Sequence, residues 1–468
     1  MRQRGDEIPP ADGEAEATPN GRRLAACCTA SDGRENPVDL STRARRSHTK
    51  QINCAKRADR PNTHEAIMQY PTRFSALPEY AFPRLRALLA PVPAGGDVLH
   101  MTIGEPKHHF PAFAAEAVAT HSEGFNKYPP NEGAPELRGA IAAWLKRRYS
   151  VARDAETEVL PLNGTREGLF NACLALCPEQ KNGSQPLVLL PNPFYQCYMV
   201  AARAAGAEAV FVNAEEANGF LPDFAALGPE VLDRTAIVYM CSPSNPQGAV
   251  ASADYWRQLL TLAEKHDFII FADECYSEIY RDQPPVGVLQ IADELGTDPS
   301  RVLAFHSLSK RSNLPGFRSG FVATSKDNIR ELRQLRNYTG APIPLPIQMA
   351  SAEVWADEAH VEANRALYQA KFTLADEIFA NMRGYASPEA GFFLWLKVGD
   401  GEKAALDIWQ KSGIRVLPGG YLSQDTVGGN PGSAYIRLAL VAEYAEVARG
   451  LRSIKDVLTA AGGGAWPY

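Results

Sequence analysis

The chain has 468 residues, and 48 Lys and Arg against 54 Asp and Glu leave a formal net charge of −6. An apolar fraction of 45 % and a charged fraction of 22 % are ordinary for a globular protein of two or three domains, with cores large enough to do without metals or disulfides. The acidic balance excludes a broad nucleic-acid footprint, and no stretch approaches the ~20 apolar residues of a membrane-spanning helix.

Residues 1–67 are rich in Pro, Gly, Arg, Asp and Glu and show no long apolar period. Such a segment buries too little surface to offset its chain entropy, so it is predicted to be a disordered extension. Arg22-Arg23 before Leu24, Ala25, Ala26 and Cys27 imitates an export signal. The apolar core of roughly 7–15 residues that such a signal needs is not there. The eight cysteines (27, 28, 54, 173, 177, 197, 241 and 275) form no C-x-x-C pair. Cys173 and Cys177, one helical turn apart, read as small buried thiols. Reduced cysteines in a chain this long fit the cytoplasm. His108-His109 lacks further ligand spacing, so no metal is expected.

Globular texture begins at Met68. Phe82 to Leu89 reads as a short amphipathic helix and Val98 to Gly104 as a strand. Ala134 to Tyr149 is a predicted helix with Pro135 in its first turn and Leu137, Ile141 and Leu145 on one face. Predicted strands and helices then alternate. The helices are Gly164 to Cys177, Tyr195 to Ala205 and Tyr255 to Lys265. The strands are Pro186 to Leu190, Ala209 to Val212, Thr235 to Met240, Phe268 to Ala272, Val302 to Phe305 and Ser319 to Ala323. Continuous apolar strands between helices predict an α/β fold with a mostly parallel sheet covered on both faces. After about residue 340 two long helices (Ile347 to Ala356 and Glu358 to Asn381) precede strands at Phe392 to Val398, Ile414 to Leu417 and Ala434 to Leu440. That order predicts a second, α+β domain.

In such sheets ligands sit at the carboxyl ends of the strands. Four of those ends carry polar residues: Asn163-Gly164-Thr165-Arg166, Ser242-Pro243-Ser244-Asn245-Pro246, Asp273-Glu274-Cys275-Tyr276, and His306-Ser307-Leu308-Ser309-Lys310 with Gly316-Phe317-Arg318 beyond. Each alone reads blandly, as a turn, a helix cap or a surface charge. Together they suit a phosphorylated pyridine aldehyde. A phosphate wants a helix N-terminus and an arginine, which Gly164, Thr165, Arg166, Ser307, Ser309 and Arg318 offer. A protonated ring nitrogen wants a carboxylate, Asp273. A ring oxygen wants donors, Asn245 and Tyr276. An aldehyde wants an amine of lowered pKa, Lys310. His306 reads as a packing residue.

On these residues the chain resembles the class I/II aminotransferases, fold type I enzymes dependent on pyridoxal 5′-phosphate, from about Pro78 to Val457. Ser307-Leu308-Ser309-Lys310 with Arg318 eight residues on is the most diagnostic stretch. The resemblance implies a seven-stranded sheet sandwiched by helices, with a smaller α+β domain. It implies an arm and part of the small domain at 68–112, a large cofactor domain at 113–340, the remaining small domain at 341–460, and a flexible tail at 461–468. It makes Lys310 the lysine that joins the cofactor, Asp273 the partner of its ring nitrogen, and Asn245 and Tyr276 the binders of its ring oxygen. Tyr195 then stacks on the ring. Tyr128 reaches the phosphate of a neighbouring subunit, which implies a homodimer with shared sites. Arg437, in Tyr435-Ile436-Arg437-Leu438, clamps the substrate α-carboxylate, and Gly104 lies at the substrate mouth. Lys310, once freed, is the general base and acid.

Two stretches, Tyr80 to Leu85 and Val416 to Gln424 with Asn430-Pro431-Gly432 and Arg437 to Ala442, resemble the N-succinyldiaminopimelate aminotransferases of lysine biosynthesis. The implied reaction moves an amino group between glutamate or 2-oxoglutarate and N-succinyl-LL-2,6-diaminopimelate or its oxo acid. Such a substrate needs a second cation or several donors at its far end, with Arg336 to Thr339, of this or of the neighbouring subunit, as a candidate stretch. The alternatives are an aspartate or broad-specificity aminotransferase, a carbon–sulfur lyase of the same fold, and an aminotransferase-like transcription regulator. Residues 1–67 lack the apolar periodicity of the winged-helix module that the last would need.

Overall fold

Uninterrupted apolar runs such as Ile270-Phe271-Ala272 are satisfied only where a strand is covered on both faces. The computed structural model describes residues 72–460 apart from 76 and 341, and the predicted extension 1–67 and tail 461–468 lie outside the described residues. A short strand, β1 (Leu99–His100), comes first. The central sheet is built from β2 (Val159–Leu162), β3 (Leu187–Asn192), β4 (Glu208–Asn213), β5 (Thr235–Cys241), β6 (Ile269–Asp273), β7 (Val302–Ser307) and β8 (Gly320–Ala323). These seven strands lie in the order β2-β8-β7-β6-β5-β3-β4. β8 runs antiparallel to both of its neighbours, and every other pair in the sheet is parallel. The expected mostly parallel, helix-covered sheet is therefore present.

Side chains alternate across it with the period of two of a strand. Val238, Met240, Ile270, Ala272, Val302 and Ala304 face one core, which includes Trp144, Trp256 and Trp355. Ile237, Tyr239, Phe271, Leu303 and Phe305 face the other, with Tyr198 and Leu169. On the first side the indole of Trp144 packs 4.8 Å from Trp355 and 5.0 Å from His306. His306 is buried there, with Nε2 3.2 Å from Glu274, which agrees with its reading as a packing residue.

A smaller sheet comes from the C-terminal part: β9 (Phe393–Lys397), β10 (Ile414–Arg415), β11 (Leu417–Pro418) and β12 (Tyr435–Ala439). Its order is β11-β12-β9, all antiparallel, while β10 pairs in parallel with β1. Its core gathers Tyr368, Phe372, Phe392, Leu394, Ile436 and Leu438. Among the described residues no helix is long and apolar enough to cross a membrane.

Two predicted strands need correction. Val98 to Gly104 is a strand only at Leu99–His100. Beyond it the backbone serves other partners: the Met101 carbonyl accepts from the Ala439 N–H, and the Thr102 carbonyl accepts from the Arg437 guanidinium. Ile414 to Leu417 is two strands, because its first half pairs with β1 and its second with β12. The helices Ala112–Thr120, Lys326–Thr339, Gly401–Ser412 and Tyr444–Ala460 were not among the predicted elements.

Candidate active site

Parallel strands deliver their carboxyl ends to one edge. Cys241 is level with Asp273, and Asp273 with Phe305. β8 runs the other way, so its start lies at that edge too: Gly320 is level with both Ser307 and Leu162. The reversal places Arg318 beside the ends of β2 and β7. These ends open on one cavity of about 440 Å³. Its walls include Gly104, Thr165, Arg166, Tyr195, Asn245, Asp273, Tyr276, Ser307, Ser309, Lys310, Arg318 and Arg437. Twelve of the fourteen sequence-predicted site residues are thus brought together.

One end of the cavity is built for an anion. Gly164 precedes the helix Thr165–Leu176 at φ 80°, and a Cβ there would collide with the Arg318 guanidinium. Only glycine lets the helix N-terminus and the arginine approach so closely. Arg318 itself sits in the left-handed region at φ 52°, with Nη1 donating to the Pro315 carbonyl at 2.8 Å. The Ser307 hydroxyl caps the short helix Leu308–Arg311 by accepting from the Ser309 N–H at 3.3 Å. Unpaired helix N–H groups with an adjacent arginine make an anion site.

Next lies a buried carboxylate. Asp273 ends β6, and its Oδ2 accepts from the Tyr198 hydroxyl at 2.6 Å. The Tyr198 ring is stacked on Tyr239, 4.4 Å away at 13°. Burial pushes the Tyr198 phenol far up, so it stays a donor. Tyr198 was not singled out in the sequence. Its spacing of one helical turn from Tyr195 is the signal that could have found it.

Opposite stands a second pair of polar groups. The Asn245 amide donates to the Tyr276 hydroxyl at 3.4 Å, while its oxygen accepts from Arg437 Nη1 at 2.9 Å. Arg437 Nη2 donates to the Thr102 carbonyl at 2.7 Å, the guanidinium lies 4.3 Å from the centroid of Phe393, and Nε has no partner. Burial lowers the Arg437 pKa to about 10, so it remains a cation at neutral pH.

Between these groups sits Lys310. Its amine donates to the Gly104 carbonyl and lies 5.3 Å from the centroid of Phe392. Gly104 is tight: a Cβ would strike the rings of Phe392 and Phe393. Burial brings the Lys310 pKa from 10.5 to about 8, Cys275 and Glu105 pulling it up and Arg437 and Arg318 pushing it down. At pH 7 that raises the neutral fraction from about 1 in 3,000 to about 1 in 10.

Two predicted residues stand apart. Tyr128 is fully exposed and outside the cavity. Gly164 does not line it but backs Arg318. The stretch Arg336 to Thr339 does not line the cavity of its own chain. Arg336 is buried against the Pro161 carbonyl with Glu167 3.7 Å away, so its charge is already used.

The family model for aminotransferase class I and II matches residues 96–454. An LL-diaminopimelate aminotransferase of Dehalococcoides mccartyi is 32 % identical over 406 residues, covering 83 % of this chain and 99 % of that protein. Another, from Moorella thermoacetica, is 29 % identical over 403 residues, covering 84 % and 99 %. A solved aminotransferase from Neisseria meningitidis superposes with a TM-score of 0.79 at 42 % identity, over 82 % of this chain and 99 % of that one. The aminotransferase AspB from Helicobacter pylori gives 0.75 at 35 %, over 81 % and 98 %.

The lowered amine basicity is directly measurable. Acylation of Lys310 by a small anhydride, followed by peptide mapping, rises with pH and has its midpoint near about 8. A midpoint above 10 would contradict the burial of this amine.

Proposed function

The chain belongs to the class I and II aminotransferases, and from that footing we propose that Lys310, Asp273 and Arg437 carry transamination in the cavity described above. The family depends on pyridoxal 5′-phosphate. The residues present fit it: the Gly164–Arg318 cradle suits its phosphate, the buried Asp273 its ring nitrogen, Asn245 and Tyr276 its ring oxygen, and Lys310 its aldehyde. When bound, the cofactor supplies a carbonyl to carry the amino group and a ring that takes up the electron pair left on the amino acid Cα.

The protein's own part is positional and acid–base. Arg437 grips the α-carboxylate, and the gain comes from fixing which Cα bond faces the ring. Lys310 takes the Cα proton and returns it on the other side of the transfer, a task for an amine whose pKa is near the working pH. Asp273 holds a proton on the ring nitrogen, and Tyr198 keeps that carboxylate in place. Tyr195 covers one ring face. The observation that carries this reading is the seating of Lys310 between Gly104 and Phe392, in one cavity with an anion cradle, a carboxylate and a carboxylate clamp.

The substrate we infer is a long amino acid with a carboxylate at each end, of the diaminopimelate type. Arg166 supports this. Its guanidinium stands exposed at the cavity wall against the Tyr195 hydroxyl, with no carboxylate partner among the described residues. It offers a distal cation where Arg336 does not, while its backbone remains in the first turn of the anion-binding helix. Free LL-diaminopimelate is the leading form, because relatives covered almost end to end bear that substrate's name. The N-succinyl form is the second reading, favoured by Val416 to Gln424, from which Leu422 lines the cavity. The same proposal includes a homodimer, with the fully exposed Tyr128 directed to the partner's site. Light scattering should then give twice 51.0 kDa.

Lys310→Ala is expected to abolish turnover while still taking up cofactor non-covalently. Borohydride reduction followed by intact mass then finds no cofactor fixed to the variant, and substantial steady-state transamination by it would remove Lys310 from the role. With 2-oxoglutarate as acceptor, LL-diaminopimelate should outperform its N-succinyl derivative and aspartate in a coupled glutamate assay. Arg166→Ala should raise the KM for the two-ended substrate about tenfold, the scale of one charge-assisted contact, and leave that for alanine little changed. Equal KM increases for both would assign Arg166 to the cofactor alone.

A further inference from the structure

Outside the cavity a lysine is buried more completely than the catalytic one. Lys371, in the helix Ala359–Phe379, is 1 % exposed. Its ammonium has three N–H donors and no acceptor. They go to the carbonyls of Leu440 (3.1 Å) and Ala442 (2.5 Å) and to Nε2 of His108 (2.6 Å). An ammonium cannot accept, so His108 accepts at Nε2 and carries its proton on Nδ1. That Nδ1–H points at the Asn364 side-chain oxygen, 3.1 Å away. Asn364 also accepts from the Asn313 amide at 3.0 Å and donates to the carbonyls of Lys310 (3.4 Å) and Arg311 (3.3 Å). Every donor and acceptor from Lys371 to Asn364 has a partner, which is the condition for a buried network to fix a single arrangement.

The three ends of this chain meet three separate parts of the site. Leu440 and Ala442 directly follow β12, which carries Arg437. His108 lies four residues beyond Gly104, on the same segment. Asn364 holds the backbone of Lys310 itself. We infer that Lys371, His108 and Asn364 are positioning residues that keep the carboxylate clamp, the Gly104 carbonyl and the catalytic lysine in register. The inference rests on the aminotransferase reading. A methionine would fill the space of Lys371 without the cost of a buried charge. It could not hold two carbonyls and a ring nitrogen at once. The charged groups facing this lysine are His108 and Glu443, and the Tyr368 ring lies beside it. Burial brings Lys371 down to about 8 against the pull of Glu443, and burial together with Lys371 keeps His108 neutral. At neutral pH the amine is still mostly the ammonium and the ring is uncharged, the states in which the geometry fixes the tautomer.

The test compares cofactor-loaded wild type, Lys371→Met and Asn364→Ala, using as amino donor LL-diaminopimelate or aspartate, whichever the wild type turns over faster, with 2-oxoglutarate as acceptor, and nitrogen-15 histidine spectra of each. In the wild type His108 should be protonated on Nδ1 only, and Lys371→Met should lose that fixed tautomer. Lys371→Met should act mainly on the KM for 2-oxoglutarate, through Arg437, and Asn364→Ala mainly on kcat, through Lys310. Each should cost about 10- to 100-fold in kcat/KM, the scale of a sub-ångström to one-ångström misplacement, with cofactor content retained. Variants that lose thermal stability but keep kcat and KM would overturn the inference, as would a wild-type His108 protonated on Nε2. Should Lys371→Met fail to fold, Asn364→Ala and the wild-type spectrum decide alone. A wild type without transaminase activity would sink the functional reading instead, and the spectrum would still report on the network.

Discussion

The site depends on keeping one amine out of water. Lys310 lies in the short helix Leu308–Arg311. Its basicity is lowered first by burial, with Phe392 and the Gly104 segment against the amine, and then by the charges of Arg437 and Arg318. Phe392 and the Gly104 segment come from parts of the chain far from residue 310, and both belong to or abut the smaller sheet. An amine of lowered basicity at this position therefore requires two cores, one on each side of it. Desolvation is a property of the assembled fold.

Around that amine the charges are separated by distance and by dedicated partners. Arg318 is drawn toward the Gly164 turn, Arg437 is held by Asn245 and the Thr102 carbonyl, and Asp273 is held by Tyr198. Arg437 and Asp273 are buried while Arg318 is exposed at the cavity wall, and a buried charge without hydrogen bonds would cost several kcal/mol. Arg437 retains one Nε without a partner. The hydrogen bonds of the walls are what hold these charged groups apart around the cavity.

Much of this was legible in the chain. The apolar strands of the central sheet stand out because both faces are covered, so the run is unbroken. Polar residues at strand ends mark the edge where ligands bind, and Gly164, Asn245, Asp273, Lys310 and Arg318 are all read from that rule. The failures have physical causes. Ile414 to Leu417 reads as one strand because local composition carries no record of which partner each half pairs with. Ala112–Thr120 is rich in alanine and gives little contrast between faces, so its period was invisible. Lys326–Thr339 and Gly401–Ser412 did carry N-cap signals at Ser325 and Asp400, whose side chains accept from Asn328 and Lys403. Arg336, near the end of the helix Lys326–Thr339, turns out to be buried against the Pro161 carbonyl and Glu167, contacts that its sequence neighbours do not announce.

The order of residues alone determined the class of fold, the aminotransferase family and most of the polar groups that line the cavity, because periodicity and strand-end polarity are local properties. Tertiary structure decided the rest. It chose Tyr198 as the partner of Asp273, put Arg166 rather than Arg336 at the cavity wall, and joined Lys371, His108 and Asn364 into one chain. These are contacts between residues up to 263 positions apart. No local pattern encodes them, since they exist only once two packed cores have brought those backbones together.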